Sequence, residues 1–208
     1  MNGLELRQVL IGALSRLPLA TDELRDLDAA IGDGDLGITV FEASLAARAA
    51  LEAMPPEATP GEVLRAMGPA VARANPSTFA ALVASALFSG ARALGDRETV
   101  TGEDLIEAGR VAAQAIATRG KSAVGDKTVL DALVPSLDAA TAHPDAPFAA
   151  ALEAARVGVE ATRDLVSVRG RAAWVGERTR GHTDPGATAY LRLLEAIEAA
   201  SHDTEATA

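Results

Sequence analysis

Apolar residues recur three and four positions apart along almost the whole of this chain. No stretch alternates with period two for long enough to make a strand. Leu6, Val9, Leu10, Ala13, Leu14 and Leu17 mark a first helix, stopped near Pro18. Thr21 is placed to cap a second, with Leu24, Leu27 and Ile31 along one face. After a Gly-rich break at 32–37, residues 40–51 form a third helix that ends at Met54-Pro55-Pro56. Thr59, followed by Pro60 and Glu62, opens a short fourth helix. Residues 76–94 read as a fifth, rich in Ala, Leu and Phe and expected to be buried on several sides. Thr101 and Asp104 cap a sixth that runs to Arg119, and residues 127–140, 144–168 and 185–200 supply the rest. Eight or nine helices with short Gly/Pro connections make one all-α domain over 1–208, with residues 1–2 and about 201–208 expected to fray.

Composition says how those helices pack. Aromatics are 3% of the chain and Ala is more than a fifth, so the core is built of Ala, Leu and Val on closely approaching helix faces. The balance of 19 Lys+Arg against 29 Asp+Glu gives a net charge of −10, which argues against a nucleic-acid surface and against anionic membranes. The chain has no Cys, which removes disulfides, thiolate metal sites and thiol nucleophiles. No apolar run approaches the ~18 residues of a membrane span, and the first residues read as an amphipathic helix rather than a signal peptide. The expected compartment is the cytoplasm.

The segment LDAAIGDGDLGITV at 27–40 carries the most information. Gly32, Gly34 and Gly37 satisfy the G-x-G-x-x-G spacing of a dinucleotide fingerprint, but a helical pattern precedes them where the fingerprint needs a strand. Asp33 and Asp35 would also set carboxylates against a pyrophosphate. Asp28, Asp33 and Asp35 instead form a cluster, the first at a helix end and the others in a loop free to fold back on it. Three hard oxygen ligands suit Mg²⁺, which commonly bridges protein carboxylates to phosphates. An Asp-rich turn that merely ends a helix is the alternative at this point. EF-hand spacing fails from either starting Asp.

Three more segments interrupt the helical pattern. In RANPSTFAALV, Ser77 and Thr78 at a helix start offer hydroxyls and free N–H groups to an anion, or serve only as a cap. RGKSAVGDKTVLDAL and VRGRAAWVGERTRGHTDPGATAY are polar, and the second concentrates basic residues in an acidic chain. His182 and Asp184 make a conceivable metal pair, although a lone loop His is more often a hydrogen-bonding residue. Neither segment contains a Walker-type loop.

Together, LDAAIGDGDLG, RGKSAVGDKTVLDAL and GRAAWVGERTRGHTDPGATA resemble the nucleotide-binding L subunit of dihydroxyacetone kinase, in order, near spacing and over nearly the whole chain. The resemblance implies a barrel of about eight antiparallel helices with the nucleotide site at one rim. It implies that Asp28, Asp33 and Asp35 hold two Mg²⁺ ions between protein and ATP/ADP phosphates. It places Leu36, Gly37, Ile38 and Thr39 around the phosphates and a second phosphate loop at 75–79, where an ungapped match sets Thr78 and Phe79 at the family's Ala-Ser pair and a local shift uses Ser77 and Thr78 instead. Gly120 and Val129, with Leu82 nearby, would line the adenine pocket, and Arg171, Asp184, Pro185 and Gly186 would add nucleotide contacts.

In the family a short keto sugar is held on a separate K subunit, which accounts for the lack of a nucleophile here. The implied activity is a phosphotransferase of the glycerone kinase type, acting only with that partner. The phosphoryl donor is ATP or a phosphotransferase-system protein, and a homodimer stays open as a further assembly. Two positions depart from the family. Asn75-Pro76-Ser77-Thr78-Phe79 stands where members usually carry Gly-Gly-Ala-Ser-Gly, and Leu36 stands where bacterial subunits often have His. These departures keep a second reading open, a non-catalytic nucleotide-binding module that contacts a transcription regulator or a partner kinase subunit.

Overall fold

A computed structural model describes residues 1–207, and their regular structure is helical apart from one antiparallel bridge between Asn2 and Thr99. The described residues form nine α-helices: α1 (Gly3–Arg16), α2 (Thr21–Ile31), α3 (Leu36–Glu52), α4 (Pro60–Ala74), α5 (Thr78–Leu94), α6 (Gly102–Gly120), α7 (Leu130–Ala142), α8 (Pro147–Ala161) and α9 (Pro185–Thr207). Short 3-10 turns lie at Leu17–Ala20, Thr162–Asp164, Arg171–Trp174 and Gly176–Thr179.

Local chemistry sets the boundaries. Asn2, Thr59 and Thr101 each close a capping box, with Glu5, Glu62 and Asp104 reaching back to the cap's N–H. Thr21 does not cap. Pro18 starts a 3-10 turn instead of merely ending α1, and the Thr21 hydroxyl donates to its carbonyl at 2.7 Å. The fourth helix is not short: it runs 15 residues, straight through Pro69. The eighth stops at Ala161, short of the expected end near residue 168.

Residues 1 and 2 are tied down rather than frayed. The Met1 ammonium donates to the Val100 carbonyl at 2.9 Å, and the Val100 N–H returns a bond of 2.9 Å to the Met1 carbonyl. At the other end α9 continues through the expected tail to Thr207, and Ala208 lies outside the described residues.

Each helix from α3 to α9 packs on the next. Helix α9 returns to α1, which also packs on α3, so the helices close into a ring. The seams are lined by fully buried Ala13, Ala47, Ala91, Ala132, Ala155 and Ala187, the small faces that an Ala-rich, aromatic-poor chain predicts. Helix α5 buries Ala80, Ala84, Gly90, Ala91 and Leu94 on one face but leaves Phe88 exposed, so it is less enclosed than its composition predicts. The largest apolar cluster joins α1 to α5 through Leu14, Leu24, Leu51, Val63 and Met67. Smaller clusters hold α6 to α7 and α7 to α8 and α9, with Tyr190 packed against both.

This winding sorts the connections into two rims. At one, Arg7 donates to the Met54 and Pro55 carbonyls of the α3–α4 connection, and Met1 meets Val100 of the α5–α6 connection. At the other lie the connections α2–α3, α4–α5, α6–α7 and α8–α9, and with them the N-termini of α3, α5, α7 and α9.

Candidate functional site

Contacts across the second rim gather its four connections. Asn75 before α5 donates to Glu42 of α3 at 2.8 Å. Gly120, at the end of α6, sits against Leu82 of α5: a Cβ on Gly120 would lie 3.7 Å from the Leu82 methyls. Gly186 in the first turn of α9 faces both the Val129 nitrogen and the Phe79 ring, at 3.6 and 3.7 Å by the same construction. Arg171 reaches from the α8–α9 connection to Asp33 and Asp35. The segments marked by sequence thus meet at one end of the ring.

The three aspartates converge as their spacing predicts. One oxygen from each of Asp28, Asp33 and Asp35 lies within 4.8 Å of the others. Asp28 lies in the last turn of α2, and its Oδ2 accepts the Leu36 N–H at 3.1 Å, tying the start of α3 to the end of α2. Gly32 makes room for this carboxylate, since a Cβ there would meet Asp28 Oδ1 at 2.6 Å. Partial burial, and then the charge of Asp28, push the Asp35 pKa above its ordinary value. Carboxylates this close repel one another, and here the Arg171 guanidinium offsets that charge, paired directly with Asp33 and at 3.4 Å from Asp35.

The remaining predicted residues divide by burial. Ile38 and Thr78 are exposed at the rim, while Leu36, Gly37 and Thr39 are buried in the first turn of α3. The Thr39 hydroxyl is fully buried without a hydrogen-bond partner. The Ser77 side chain caps α5, accepting from the Ala80 N–H at 3.1 Å. Phe79 turns inward to pack beside Gly186, so the bulky residue of the unusual 75–79 segment serves the core side of the loop.

Asp184 is 7% exposed and caps α9, its Oδ2 accepting the Ala187 N–H at 2.7 Å. Burial is the main cause that pushes its pKa up to about 7, against the lowering effect of the cap hydrogen bond. Pro185 behind it is buried, leaving Gly186 as the more open of the three. His182 is exposed, and its backbone makes its hydrogen bonds, the N–H donating to the Thr179 carbonyl and the carbonyl accepting from Lys127.

Sequence reading assigned no role to two residues that build this rim. Asp131 folds the α6–α7 connection by accepting the Gly125 N–H at 2.6 Å and the Thr128 N–H at 2.7 Å. Lys127 is 2% exposed, and its ammonium donates to three backbone carbonyls, Leu165 (3.1 Å), Thr179 (2.6 Å) and His182 (2.6 Å). The only sequence signal was their place in a polar interruption of the helical pattern.

Comparison with known proteins gives this geometry its class. The DAK2 domain family matches residues 30–199, and the chain belongs to that family. Within it, the chain is a member of the DhaL group. It is 34% identical over 175 residues to the ADP-binding subunit DhaL of PEP-dependent dihydroxyacetone kinase 1 from Listeria innocua, covering 84% of each chain. It is 36% identical over 180 residues to L-erythrulose 1-kinase of Mycolicibacterium smegmatis, covering 84% of this chain but only 32% of that protein. The crystal structure of the dihydroxyacetone kinase of C. freundii (native form) matches with a TM-score of 0.76 at 23% identity, over 93% of this chain and 34% of that one, and this likeness shows the fold.

Proposed function

We propose that this protein is the Mg-nucleotide subunit of a dihydroxyacetone-type kinase, passing a phosphoryl group to a short keto sugar carried by a separate K-type subunit. The convergence of Asp28, Asp33 and Asp35 on the rim where four helices begin carries the reading. Relatives named as ADP-binding subunits and as erythrulose kinases support the nucleotide and the sugar class, a triose or tetrose. The structure of the C. freundii dihydroxyacetone kinase in complex with AMP-PNP and Mg²⁺, which shares the fold, supports the cofactors.

The donor set fits Mg²⁺: three carboxylates on one side, with a buried and unpartnered Thr39 hydroxyl in the adjoining turn. Two such ions would be held by Asp28, Asp33 and Asp35, and when bound they neutralise charge on the phosphates during transfer. The chain's own groups do the positioning. The N–H groups that open α3 and α5 face anions at the rim, with Ser77 and Thr78 at the start of α5. Arg171, already at the carboxylates, presents a guanidinium to the same charge cluster. Leu82 beside Gly120, and Val129 beside Gly186, offer apolar walls for a base.

Partner and donor follow from the same reading. A K-type subunit supplies the sugar, and either free ATP or a phosphotransferase-system protein supplies the phosphoryl group, in the cytoplasm and without nucleic acid or membrane. Self-association into a homodimer is compatible with it. The second reading, a regulatory nucleotide-binding module, is favoured by one observation: Phe79 occupies the inner side of the 75–79 loop. Calorimetry with ADP, with and without Mg²⁺, tests both, because each requires Mg-dependent binding. A coupled assay with a K-type partner and a panel of trioses and tetroses then separates them, turnover supporting the kinase and its absence across the panel the regulator.

A further inference from the structure

The α8–α9 connection, residues 162–184, carries Arg171 and Asp184 to the rim, yet it holds only short 3-10 turns. What fixes it comes from the α6–α7 connection. Asp126 accepts the Val168 N–H through its carbonyl at 3.3 Å and the Arg169 guanidinium through its carboxylate at 2.9 Å. Next to it, Lys127 buries an ammonium among the carbonyls of Leu165, Thr179 and His182, which span nearly the whole connection. Three N–H donors meet three acceptors, so the shell is complete.

The backbone at Lys127 strengthens the case. Its φ is +59°, a left-handed conformation that costs a non-glycine residue energy. Lys121 has a similar φ of +51°, but it is exposed and sits at the C-cap of α6, where that conformation ordinarily ends a helix. Lys127 ends no helix. The position asks for Gly, and what Lys adds there is its buried ammonium.

We propose that Lys127 is a positioning residue for nucleotide binding, its ammonium acting as a built-in cation that pins the 162–184 connection and so sets Arg171 and Asp184 at the rim. The inference rests on the nucleotide reading above for its functional half, and on the geometry alone for its structural half.

Lys127→Gly is the direct test, because it relieves the backbone while leaving three carbonyls around a stem-shaped hole. Trp174 is the chain's single Trp, lies on the pinned connection and is 92% exposed, so its fluorescence reports the connection itself. In Lys127→Gly the helical circular dichroism is expected to persist while Trp174 anisotropy falls. Mg-ADP affinity, read by calorimetry, is expected to weaken by about tenfold or more, since charge-assisted bonds are lost from a buried shell. Millimolar n-propylammonium should restore both anisotropy and affinity. Tetramethylammonium, which has no N–H, should restore neither, and the wild type should respond to neither amine.

Unchanged anisotropy in the variant, or recovery with both amines or with none, overturns the proposal. If Lys127→Gly loses its helices, Lys127→Gln, whose amide keeps two donors, is read the same way, and collapse of both assigns Lys127 to global stability and overturns it. Failure of the wild type to bind Mg-ADP strikes the nucleotide reading, while the anisotropy arm still decides the pinning.

Discussion

Gly37 lies in the first turn of α3, directly after the aspartate loop, and its substitution by Ala has a sign that the structure fixes. A Cβ there would stand 2.2 Å from the Thr21 carbonyl oxygen and 2.9 Å from the backbone nitrogen of Arg25. Ordinary contact needs about 3.5 Å, so α3 must move from α2 by roughly 1 Å. Overpacking of this kind costs about 1–3 kcal/mol, and the helix-propensity gain of Ala over Gly returns at most ~1 kcal/mol. With the full propensity gain returned, the net is a destabilisation of up to about 2 kcal/mol, or up to roughly 8 °C in Tm for a domain of this length.

Gly90→Ala is the matched control. It lies inside the C-terminal half of α5, where the new Cβ meets the Ala108 carbonyl at an ordinary 3.5 Å, and it is expected to stabilise by up to ~1 kcal/mol. Thermal melts of both variants by circular dichroism give the comparison. Because Asp28 and the Leu36 N–H bridge the same two helices, Gly37→Ala should also weaken Mg-ADP binding, whereas Gly90→Ala should not. Equal stabilisation by the two substitutions would refute the close α2–α3 approach on which the site geometry depends.

Asp33→Asn should weaken Mg-dependent ADP binding by at least tenfold in calorimetry with an unchanged circular dichroism spectrum, and equal affinity would make the aspartates turn residues only. Thr59→Ala breaks a capping box far from the rim, so it should lower Tm by about 2–4 °C, from ~1 kcal/mol, with no effect on nucleotide affinity. Asp184 has a folded pKa of about 7, above its unfolded 3.8, so the native state holds the extra proton. Its contribution therefore lowers stability as pH rises from about 4 through 7. Asp184→Asn keeps a cap acceptor but removes this titration, so its Tm should gain on the wild type as pH rises; a constant difference from pH 4 to 8 would count against the buried carboxylate.

The helical architecture was legible because its signals are local. Period, caps and prolines act within a few residues, and Thr59 and Thr101 cap as their sequences specify. The aspartate cluster was legible for the same reason, since Asp28 and Asp35 are only two helical turns apart in sequence and a glycine-rich loop can hardly carry them far. Thr21 failed because Pro18 found a use as the start of a 3-10 turn, a choice settled by packing between α1 and α3. Lys127 was illegible for a stronger reason. Its partners are backbone carbonyls 38 to 55 residues away, and a carbonyl leaves no mark in a sequence.

The same distinction resolves how a chain of net charge −10 offers a place to phosphate. Four of the five arginines between 163 and 180 are held in ion pairs. Arg163 pairs with Glu160, Arg169 with Asp126, Arg180 with Glu177, and Arg171 with the aspartates themselves. Beside Arg178, which joins none of these pairs, what remains for an anion is the rim's helix N-termini and whatever charge sits between Asp28, Asp33 and Asp35. Removing Arg171 therefore separates two roles. Arg171→Gln should lower the stability of the ligand-free protein, where the guanidinium alone balances the carboxylates. It should cost proportionally less when Mg²⁺ is present, because a divalent ion takes over that balance. A Tm deficit that Mg²⁺ does not narrow would show that the three carboxylates do not share a cation site.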